Sequence, residues 1–297
     1  MQLSFVKMQG CGNDYIYIDC VQNNPWRDVS SSVPDKSELA IRLSDRHFGI
    51  GSDGLIFINR SDLAGFEMEM YNADGSRGKM CGNGMRCVAK LIYDRGYVNQ
   101  DEFTVESMGA IKKVKVFPEN GVVKTVTVDM GVPELVPANI PVNTGADSSD
   151  PIIGGRITAG SVSGAFTAVS MGNPHAVIFT DSLNISVASV RDLDLASIGP
   201  SFEHHEYFPE RVNTEFVRVL DKNNVEMRVW ERGSGETLAC GTGCCAVVAA
   251  CVLNKRTERR INVHLLGGTL DVYWNETDSH IYMTGPAETV FTGLIDC

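Results

Sequence analysis

One short pattern occurs twice in the chain at nearly constant spacing, and this repeat constrains the fold more than any other feature. Cys-Gly-Asn-Gly starts at Cys81 and Cys-Gly-Thr-Gly starts at Cys240, an offset of 159 residues. Further landmarks keep the same order at offsets of 159 or 160: Glu67-Met68 with Glu226-Met227, Tyr71 with Trp230, Phe48 with Phe208, and Gly12-Asn13 with Gly172-Asn173. The repeat predicts a duplicated domain, with two halves that face each other about a pseudo-two-fold axis.

A change in composition separates the two halves. Four prolines lie between residues 131 and 156, in a segment that also contains Asn-Thr-Gly-Ala-Asp-Ser-Ser-Asp, which is typical of a domain connection. We therefore expect a first domain over residues 1–131 that carries Cys81, and a second over residues 132–287 that carries Cys240. The length of 297 residues is consistent with two domains.

Short strand patterns dominate both halves. Apolar runs bounded by Gly, Asn, Asp or Pro predict strands at 15–18, 55–58, 66–71, 111–117, 122–128, 176–179, 225–230 and 270–274. Apolar spacing and end signals predict helices at 36–46, 82–95 and 241–255. The last helix is apolar all round, as expected of a helix enclosed on every side. The predicted fold class is α+β: each domain is a curled, mostly antiparallel or mixed β-sheet around a central helix, and the active site lies in the interdomain cleft.

Each Cys-Gly-x-Gly pattern places a cysteine at the N-terminus of a predicted helix. The N–H groups and the dipole there favour negative charge, so we expect both thiols to ionise more readily than a free cysteine. The glycines allow a ligand to approach the backbone, and the first N–H groups of both helices suit a carboxylate. A thiolate and a thiol on opposite faces of the adjacent carbon invert it by removing one proton and returning another. This chemistry needs no cofactor.

Charge and cysteine content narrow the classes of function. The chain has 37 acidic and 26 basic residues, a net charge of −11, which disfavours nucleic acid and anionic membranes as partners. We expect no membrane span and no signal peptide. Nine cysteines, an odd number, favour free thiols in the cytoplasm. Without Cys-x-x-Cys or histidines at the paired spacing of metal ligands, we expect no metal site.

Longer motifs surround the two cysteines, and together they are specific. They cover residues 5–14, 71–76, 80–87, 170–175, 211–213, 231–237, 239–243 and 283–285, and include Tyr-Asn-Ala-Asp-Gly-Ser, Met-Gly-Asn-Pro-His and Glu-Arg-Gly-Ser-Gly-Glu-Thr. With these motifs the chain closely resembles the diaminopimelate epimerase family over nearly its whole length. The resemblance implies an enzyme that converts LL- to meso-diaminopimelate for lysine and peptidoglycan synthesis, with neither pyridoxal phosphate nor a metal.

The resemblance also assigns site residues. It implies that Cys81 and Cys240 are the two acid–base groups, and that the backbone at Gly82-Asn83 and Gly241-Thr242 holds the carboxylate of the reacting centre. The remaining residues implied to bind substrate are Asn13, Asn72, Asn173, Asn213, Glu231 and Arg232. An Arg fork suits the distal carboxylate of diaminopimelate, while Glu and Asn oxygens suit its ammonium group.

Four further expectations concern neighbouring features. Gly54 stands where some family members carry a substrate-contacting Gln and others carry Gly. Family structures suggest that the residues after about 288 return to the first domain. His175 is expected to support the site from beside it, without contacting the substrate. The expected partners are a small-molecule substrate and a second copy of the chain in a homodimer.

Three alternatives stay open from the residues alone. The same two-thiol chemistry serves related racemases and epimerases that act on proline or hydroxyproline. A dithiol redox protein would instead cycle Cys81 and Cys240 through a disulfide, although Cys-x-x-Cys is absent from the sequence. A non-catalytic amino acid binding protein would give no reason for two symmetric thiols.

Overall fold

The computed structural model describes residues 2–27, 34–78, 80–145 and 149–297. Contacts divide the chain into one unit of Met1–Asp129 with Thr284–Cys297 and a second unit of Met130–Met283. The first division falls beside the Pro-rich segment, of which residues 146–148 lie outside the described residues. Mixed sheet with few helices makes up both units, which confirms the α+β fold class.

Strands form most of the regular structure. In chain order they are β1 (Gln2–Gly10), β2 (Asn13–Asp19), β3 (Gly54–Ser61), β4 (Gly65–Asn72), β5 (Arg77–Gly78), β6 (Glu102–Ser107), β7 (Ala110–Glu119), β8 (Val122–Gly131), β9 (Gly155–Ala159), β10 (Val162–Ser170), β11 (Pro174–Phe179), β12 (Asn213–Val219), β13 (Asn224–Glu231), β14 (Gly235–Thr237), β15 (Arg260–His264), β16 (Thr269–Trp274), β17 (Ile281–Pro286) and β18 (Glu288–Asp296). Every predicted strand falls within one of these.

The helices are α1 (Lys36–Ser44), α2 (Gly82–Asp94), α3 (Leu195–Glu203) and α4 (Gly241–Leu253). Short 3₁₀ turns occur at Pro25–Arg27, Pro137–Asn139, Thr180–Ser182 and Val190–Asp192. Within the described residues, no helix is long and apolar enough to cross a membrane.

Strand pairing has the same order in the two units. β1 and β2 pair antiparallel, β2 and β3 parallel, β3 and β4 antiparallel, β4 and β6 parallel, and β6 and β7 antiparallel. β10, β11, β12, β13, β15 and β16 repeat these relations in the second unit. Leu55 is the partner of Tyr71, as Thr214 is of Trp230. Positions 159 apart on β3 and β12 are therefore structurally equivalent.

A buried helix lies against the sheet of each unit. α2 packs on β1, β2 and β7, and α4 packs on β10, β11, β12 and β16. Cys244 to Cys251 on α4 are all buried, as the apolar sequence of this helix predicts. α2 is also buried over most of its length although it carries Arg86 and Lys90. Arg86 Nε donates to the Pro286 carbonyl, and Lys90 Nζ donates to Asp94 and to the Val123 carbonyl, so both cations are satisfied inside.

The three predicted helices begin at the residues that the sequence indicates, but in the structure each one ends earlier than predicted. α1 ends at Ser44, because the Asp45 carboxylate accepts the His47 and Phe48 N–H groups in a turn. α2 ends at Asp94 and α4 at Leu253, where a cap residue closes the last turn. α3 was not predicted, since Gly and Pro stand side by side within it.

Phe48 and Phe208, which the sequence repeat pairs with each other, lie in different surroundings. Phe48 is 93% exposed, whereas Phe208 is 3% exposed and belongs to a core cluster. The offset of 160 therefore joins two loop positions with different packing.

The C-terminal residues belong to the first unit by their contacts. β18 pairs antiparallel with β1 from Gln2 with Asp296 to Gln9 with Glu288. Phe5 packs edge to face against Phe291, with ring centroids 5.9 Å apart.

The contact between α3 and β13 leaves no room for a side chain at Gly199. A Cβ there would lie 2.3 Å from Trp230 Cδ2, and the Trp230 indole is held by a 2.8 Å bond to Glu203. We expect the overpacking in Gly199→Ala to lower the free energy of unfolding by about 1–3 kcal/mol. The better helix propensity of Ala offsets about 1 kcal/mol of this loss. Urea denaturation measures this, and Ser201→Ala on the exposed face of the same helix is the control. Equal stability of the two variants would contradict the packing argument.

Candidate functional site

Cys81 caps α2 through its sulfur. Its backbone is extended, with φ −132° and ψ 114°, and its Sγ accepts the Gly84 N–H at 3.3 Å. A Cβ on Gly84 would lie 2.7 Å from Ile56 Cδ1 and 3.4 Å from Cys81 Cβ. Glycine at this third helical position therefore lets the chain turn closely around the thiol.

Cys240 repeats this arrangement at the start of α4. Its φ is −119° and its ψ is 111°, and its Sγ accepts the Gly243 N–H at 3.4 Å. A Cβ on Gly243 would lie 2.7 Å from Glu215 Oε1 and 3.3 Å from Cys240 Cβ. Each unit thus presents one thiol, with the same geometry, at the N-terminus of its buried helix.

In the first unit, Asn13 connects Cys81 to a carboxylate. The Cys81 thiol donates to Asn13 Oδ1 at 3.2 Å, and Asn13 Nδ2 donates to Asp53 Oδ2 at 2.7 Å. The same Asp53 oxygen accepts the Asp14 N–H at 3.0 Å, and Asp53 Oδ1 pairs with Arg46 at 2.9 Å. Asn13 therefore lies directly beside Cys81.

The other predicted residues of the first unit are placed separately. Asn72 donates from Nδ2 to Ser76 Oγ at 2.9 Å, within the turn that follows β4. Asn83 is buried on the first turn of α2, and among the described residues its Oδ1 has no hydrogen-bond partner. Gly82 starts the helix beside it.

In the second unit, a chain of hydrogen bonds leads from Cys240 to a buried acid. Cys240 Sγ lies 3.5 Å from Thr242 Oγ1, and Asn173 Nδ2 donates to Thr242 Oγ1 at 3.3 Å. His175 Nε2 lies 3.0 Å from Asn173 Oδ1, and His175 Nδ1 lies 2.7 Å from Glu215 Oε1. The structure thus brings Cys240, Thr242, Asn173 and the supporting His175 into one network.

Asn213 and Arg232 lie together at the ends of β12 and β13. Asn213 Nδ2 donates to the Pro174 carbonyl at 2.9 Å, and its Oδ1 accepts the Arg232 N–H at 2.9 Å. The Arg232 guanidinium donates to the Glu210 carbonyl at 3.0 Å. Glu231 accepts a hydrogen bond from the Thr237 hydroxyl. Asn213 therefore fixes the backbone on which Arg232 is presented.

The expectation that both helix-capping thiols ionise readily is wrong for Cys240. Burial raises the pKa of the Cys240 thiol well above its ordinary value, and the nearby Glu231 and Glu215 carboxylates raise it further. Hydrogen bonds from Thr242 and from the Gly243 N–H act in the opposite direction without reversing the shift. Desolvation therefore outweighs the helix terminus at this thiol.

Glu215 is an acid inside a core. It is 0% exposed, and its Oε2 has no hydrogen-bond partner among the described residues. Burial raises its pKa, and the His175 partner offsets part of that rise. The equivalent position on β3 is Ile56. The pair of His175 and Glu215 is therefore specific to the second unit.

Two residues of these networks were missed by sequence reasoning. Glu215 is a charged residue inside an otherwise apolar strand, which could have marked it. Asp53 follows two glycines and looked like an ordinary turn residue, since the bond that makes it relevant crosses to β2. Neither signal identifies a partner from the sequence.

Gly54 has no space for the side chain that some family members carry. A Cβ there would lie 2.1 Å from the Tyr71 carbonyl and 2.9 Å from Tyr15 Cε1. Any contact through position 54 would therefore need a different backbone. In the part of the chain that the structure describes, no three His, Cys, Asp or Glu side chains group as metal ligands.

Comparison with known proteins gives a consistent family. The family model described as diaminopimelate epimerase matches residues 5–136 and 167–290. A diaminopimelate epimerase of Methanococcus maripaludis is 49% identical over 294 residues, covering 99% of this chain and 100% of the relative. One of Desulfovibrio desulfuricans is 51% identical over 294 residues, covering 98% of this chain and 97% of the relative.

Solved structures of lower similarity share the fold. A hydroxyproline epimerase from Agrobacterium vitis matches with a TM-score of 0.65 at 13% identity, covering 99% of this chain and 91% of that one. A probable proline racemase from Agrobacterium radiobacter matches with a TM-score of 0.68 at 13% identity, covering 99% and 92%. At this identity they bear on the fold alone. The full-length relatives and the family model, which matches the segments around both capping cysteines, show that this chain belongs to the diaminopimelate epimerase family.

Proposed function

We propose that this chain interconverts LL- and meso-diaminopimelate by inverting one α-carbon, and that Cys81 and Cys240 carry the protons. The observation that supports this most directly is the pair of cysteine-capped helices, which have the same geometry in the two units. Relatives named diaminopimelate epimerase, which align with this chain over almost their entire length, support the choice of substrate.

The proposed reaction uses one thiolate and one thiol. The thiolate takes the α-proton, and the electron pair of the broken C–H bond passes into the adjacent carboxylate as a dianion. The thiol then delivers its proton to the opposite face of the carbon, so the centre is inverted and the sulfurs have exchanged roles. Each acid–base group of this kind contributes about 10²–10⁴-fold to a rate.

The helix N-termini supply the stabilisation that this dianion requires. The first N–H groups of α2, at Gly82 and Asn83, and of α4, at Gly241 and Thr242, are donors without partners in their own helix. We propose that they hold the carboxylate of the reacting centre, where the helix dipoles favour its growing charge. Because these donors are backbone groups, substitution of neighbouring side chains leaves them in place.

The distal end of the substrate has its own binding groups in this proposal. Arg232 provides a fork for the second carboxylate, and Glu231 with the asparagine oxygens receives the second ammonium group. Asn13, Asn72, Asn173 and Asn213 complete the proposed set. A substrate without the distal amino acid group, such as proline, would leave these polar groups unpaired, which favours diaminopimelate.

We further infer a cytoplasmic homodimer. The nine cysteines all lie within the described residues and no disulfide joins them, which is consistent with a reducing compartment. β18 carries three exposed apolar side chains, Val290 at 56%, Phe291 at 46% and Leu294 at 65%. These exposed apolar side chains make β18 a candidate contact for a second copy.

The two-thiol reaction predicts that either cysteine is indispensable. We expect Cys81→Ala and Cys240→Ala each to lower the rate of epimerisation by about 10²–10⁴-fold or more, because each removes one of the two proton carriers. Incubation with LL-diaminopimelate in D₂O, chiral analysis and mass measurement test this: wild-type product carries deuterium at the inverted carbon. Cys297→Ala is the matched control and should retain activity. Inversion at the wild-type rate by either variant, or activity that rises on oxidation, would contradict the proposal.

The raised pKa of Cys240 predicts a dependence on Glu231. A nearby carboxylate disfavours the thiolate, so Glu231→Gln should lower the pKa of Cys240 and move its alkylation to lower pH. The measurement is the rate of iodoacetamide labelling of the Cys240 peptide against pH, by mass spectrometry. Glu236→Gln, at an exposed acid on β14 that pairs with Arg228, is the control. An unchanged or higher midpoint in Glu231→Gln would contradict this electrostatic account.

The dimer proposal predicts that one surface substitution lowers the mass of the assembly in solution without changing the fold of the chain. We expect the wild-type protein to elute with the mass of two chains, and Leu294→Glu with that of one, because a buried unpaired carboxylate opposes association. Light scattering after size exclusion measures this. Val122→Glu, at an exposed apolar position on β8, should stay dimeric. A wild-type protein with the mass of one chain would refute the dimer.

A further inference from the structure

A buried carboxylate contacts the turn that joins β13 to β14. Glu203, the last residue of α3, is 4% exposed and belongs neither to the proposed thiol chemistry nor to the proposed substrate contacts. Its Oε2 accepts the Trp230 indole N–H at 2.8 Å, and its Oε1 accepts the Gly233 N–H at 2.9 Å. The two oxygens therefore hold the residues on either side of Glu231-Arg232.

The turn itself is exposed, so packing of its own side chains does little to hold it. Arg232, Gly233 and Ser234 all lie at the surface. The Arg232 N–H donates to Asn213 Oδ1 at 2.9 Å, and the next N–H along the chain is the one that Glu203 accepts. Two consecutive backbone donors are thus fixed by side chains from two different elements, and the direction in which Arg232 leaves the turn depends on both.

The Trp230 indole keeps the Glu203 carboxylate in this place. The ring packs against Gly199 of α3, where a Cβ would lie 2.3 Å away, and against Gly235, where a Cβ would lie 3.5 Å away. It also packs against the core cluster of the second unit. A different rotamer of Glu203 would leave the indole N–H without this acceptor, so the side chain has one favoured position.

Glu203 acts as a charged acceptor. Burial by itself would raise the pKa of this carboxyl, but bonds from Trp230 and the Gly233 N–H, with the charges of His204 and Arg211, bring the pKa of Glu203 below its ordinary value. Hydrogen bonds to an ionised acceptor are about twice as strong as those between neutral groups. The Arg211 guanidinium approaches Oε1 to 3.6 Å and its side chain is 54% exposed, so this pair contributes little.

The first unit is built without this acid. Ser44 ends α1 as Glu203 ends α3, 159 residues later, and the carbonyl of each accepts one N–H, from Ser52 at 3.0 Å and from Val212 at 3.3 Å. The Ser44 hydroxyl oxygen accepts from Ser52 Oγ at 3.1 Å. The repeated fold thus forms at this place without an acid. Glu203 belongs to the unit whose turn carries the two charged groups proposed for the distal end of the substrate.

We propose that Glu203 is a positioning residue for substrate affinity, because it fixes the turn after β13 from inside the unit and thereby holds Glu231 and Arg232 in place for the distal amino acid group. The inference rests on the proposed function, in which this turn binds that group, and adds the residue that determines how firmly the turn is held. Glu203 acts through Trp230 and Gly233 without contacting the substrate.

Steady-state kinetics with LL-diaminopimelate test the proposal. Glu203→Ala removes both acceptor oxygens, and we expect KM to rise about tenfold while kcat stays within about twofold, because binding of the distal group weakens and the thiols are untouched. Glu203→Gln keeps one acceptor oxygen and should raise KM by a smaller factor. Glu206→Ala, at an exposed acid three residues further along, is the control and should keep the wild-type KM.

Hydrogen exchange in the substrate-free protein separates a local anchor from a general loss of stability. In Glu203→Ala, amide exchange should become faster in the peptide over residues 231–237 and keep the wild-type rate in the peptide of α4, because only the first segment loses a partner. Mass spectrometry of the deuterated peptides measures both. An equal acceleration in the two segments overturns the proposal.

The remaining outcomes separate this inference from the proposed function. If the wild-type protein epimerises diaminopimelate but Glu203→Ala has an unchanged KM, or a lower kcat at unchanged KM, this inference alone is overturned. If Glu203→Ala does not fold by circular dichroism, Glu203→Gln must still raise KM, and a wild-type KM in that variant overturns the inference. A wild-type protein that does not turn over LL-diaminopimelate instead rejects the proposed function.

Discussion

The structure depends on one local interaction that is made twice, the bond from a backbone N–H in the first helical turn to a cysteine sulfur. This bond needs an extended cysteine before the helix and a glycine at its third position, and both units supply them. It places a sulfur where the helix terminus carries partial positive charge. The buried sheet and helix of each unit then hold the sulfur in a fixed direction.

The two units differ in the side chains that surround the shared cysteine cap. The first unit surrounds its thiol with a tyrosine, an isoleucine and an asparagine held by an acid. The second has His175 in place of that tyrosine and the buried Glu215 in place of the isoleucine, and Thr242 stands where the first unit has Asn83. A repeated backbone thus carries two different electrostatic environments.

Much of the fold was predictable, because strands and helices leave periodic patterns in neighbouring residues and the repeat is visible when the two halves of the sequence are compared. The strands around Tyr15 to Ile18 and Leu55 to Ile58 and the starts of three helices follow from local pattern and caps. The helix at Leu195–Glu203 did not, since its stability comes from packing against Trp230 rather than from its own residues. In the site, the cysteines were visible from Gly-x-Gly, but the bond between Asn13 and Asp53 joins residues 40 apart and no local signal predicts it. The ionisation of Cys240 was mispredicted for a related reason, because desolvation is set by the whole unit.

The antiparallel pairing of β18 with β1 has a consequence for how the chain is made. Gln2–Gly10 are synthesised well before Glu288–Asp296, yet these two strands form one ladder, and Arg86 in between donates to the carbonyl of Pro286. The second unit, Met130–Met283, is continuous and can complete its sheet while synthesis proceeds. The first unit keeps an uncovered edge on β1 until β18 has been synthesised, so the unit that holds the earlier strands completes its sheet after the second unit.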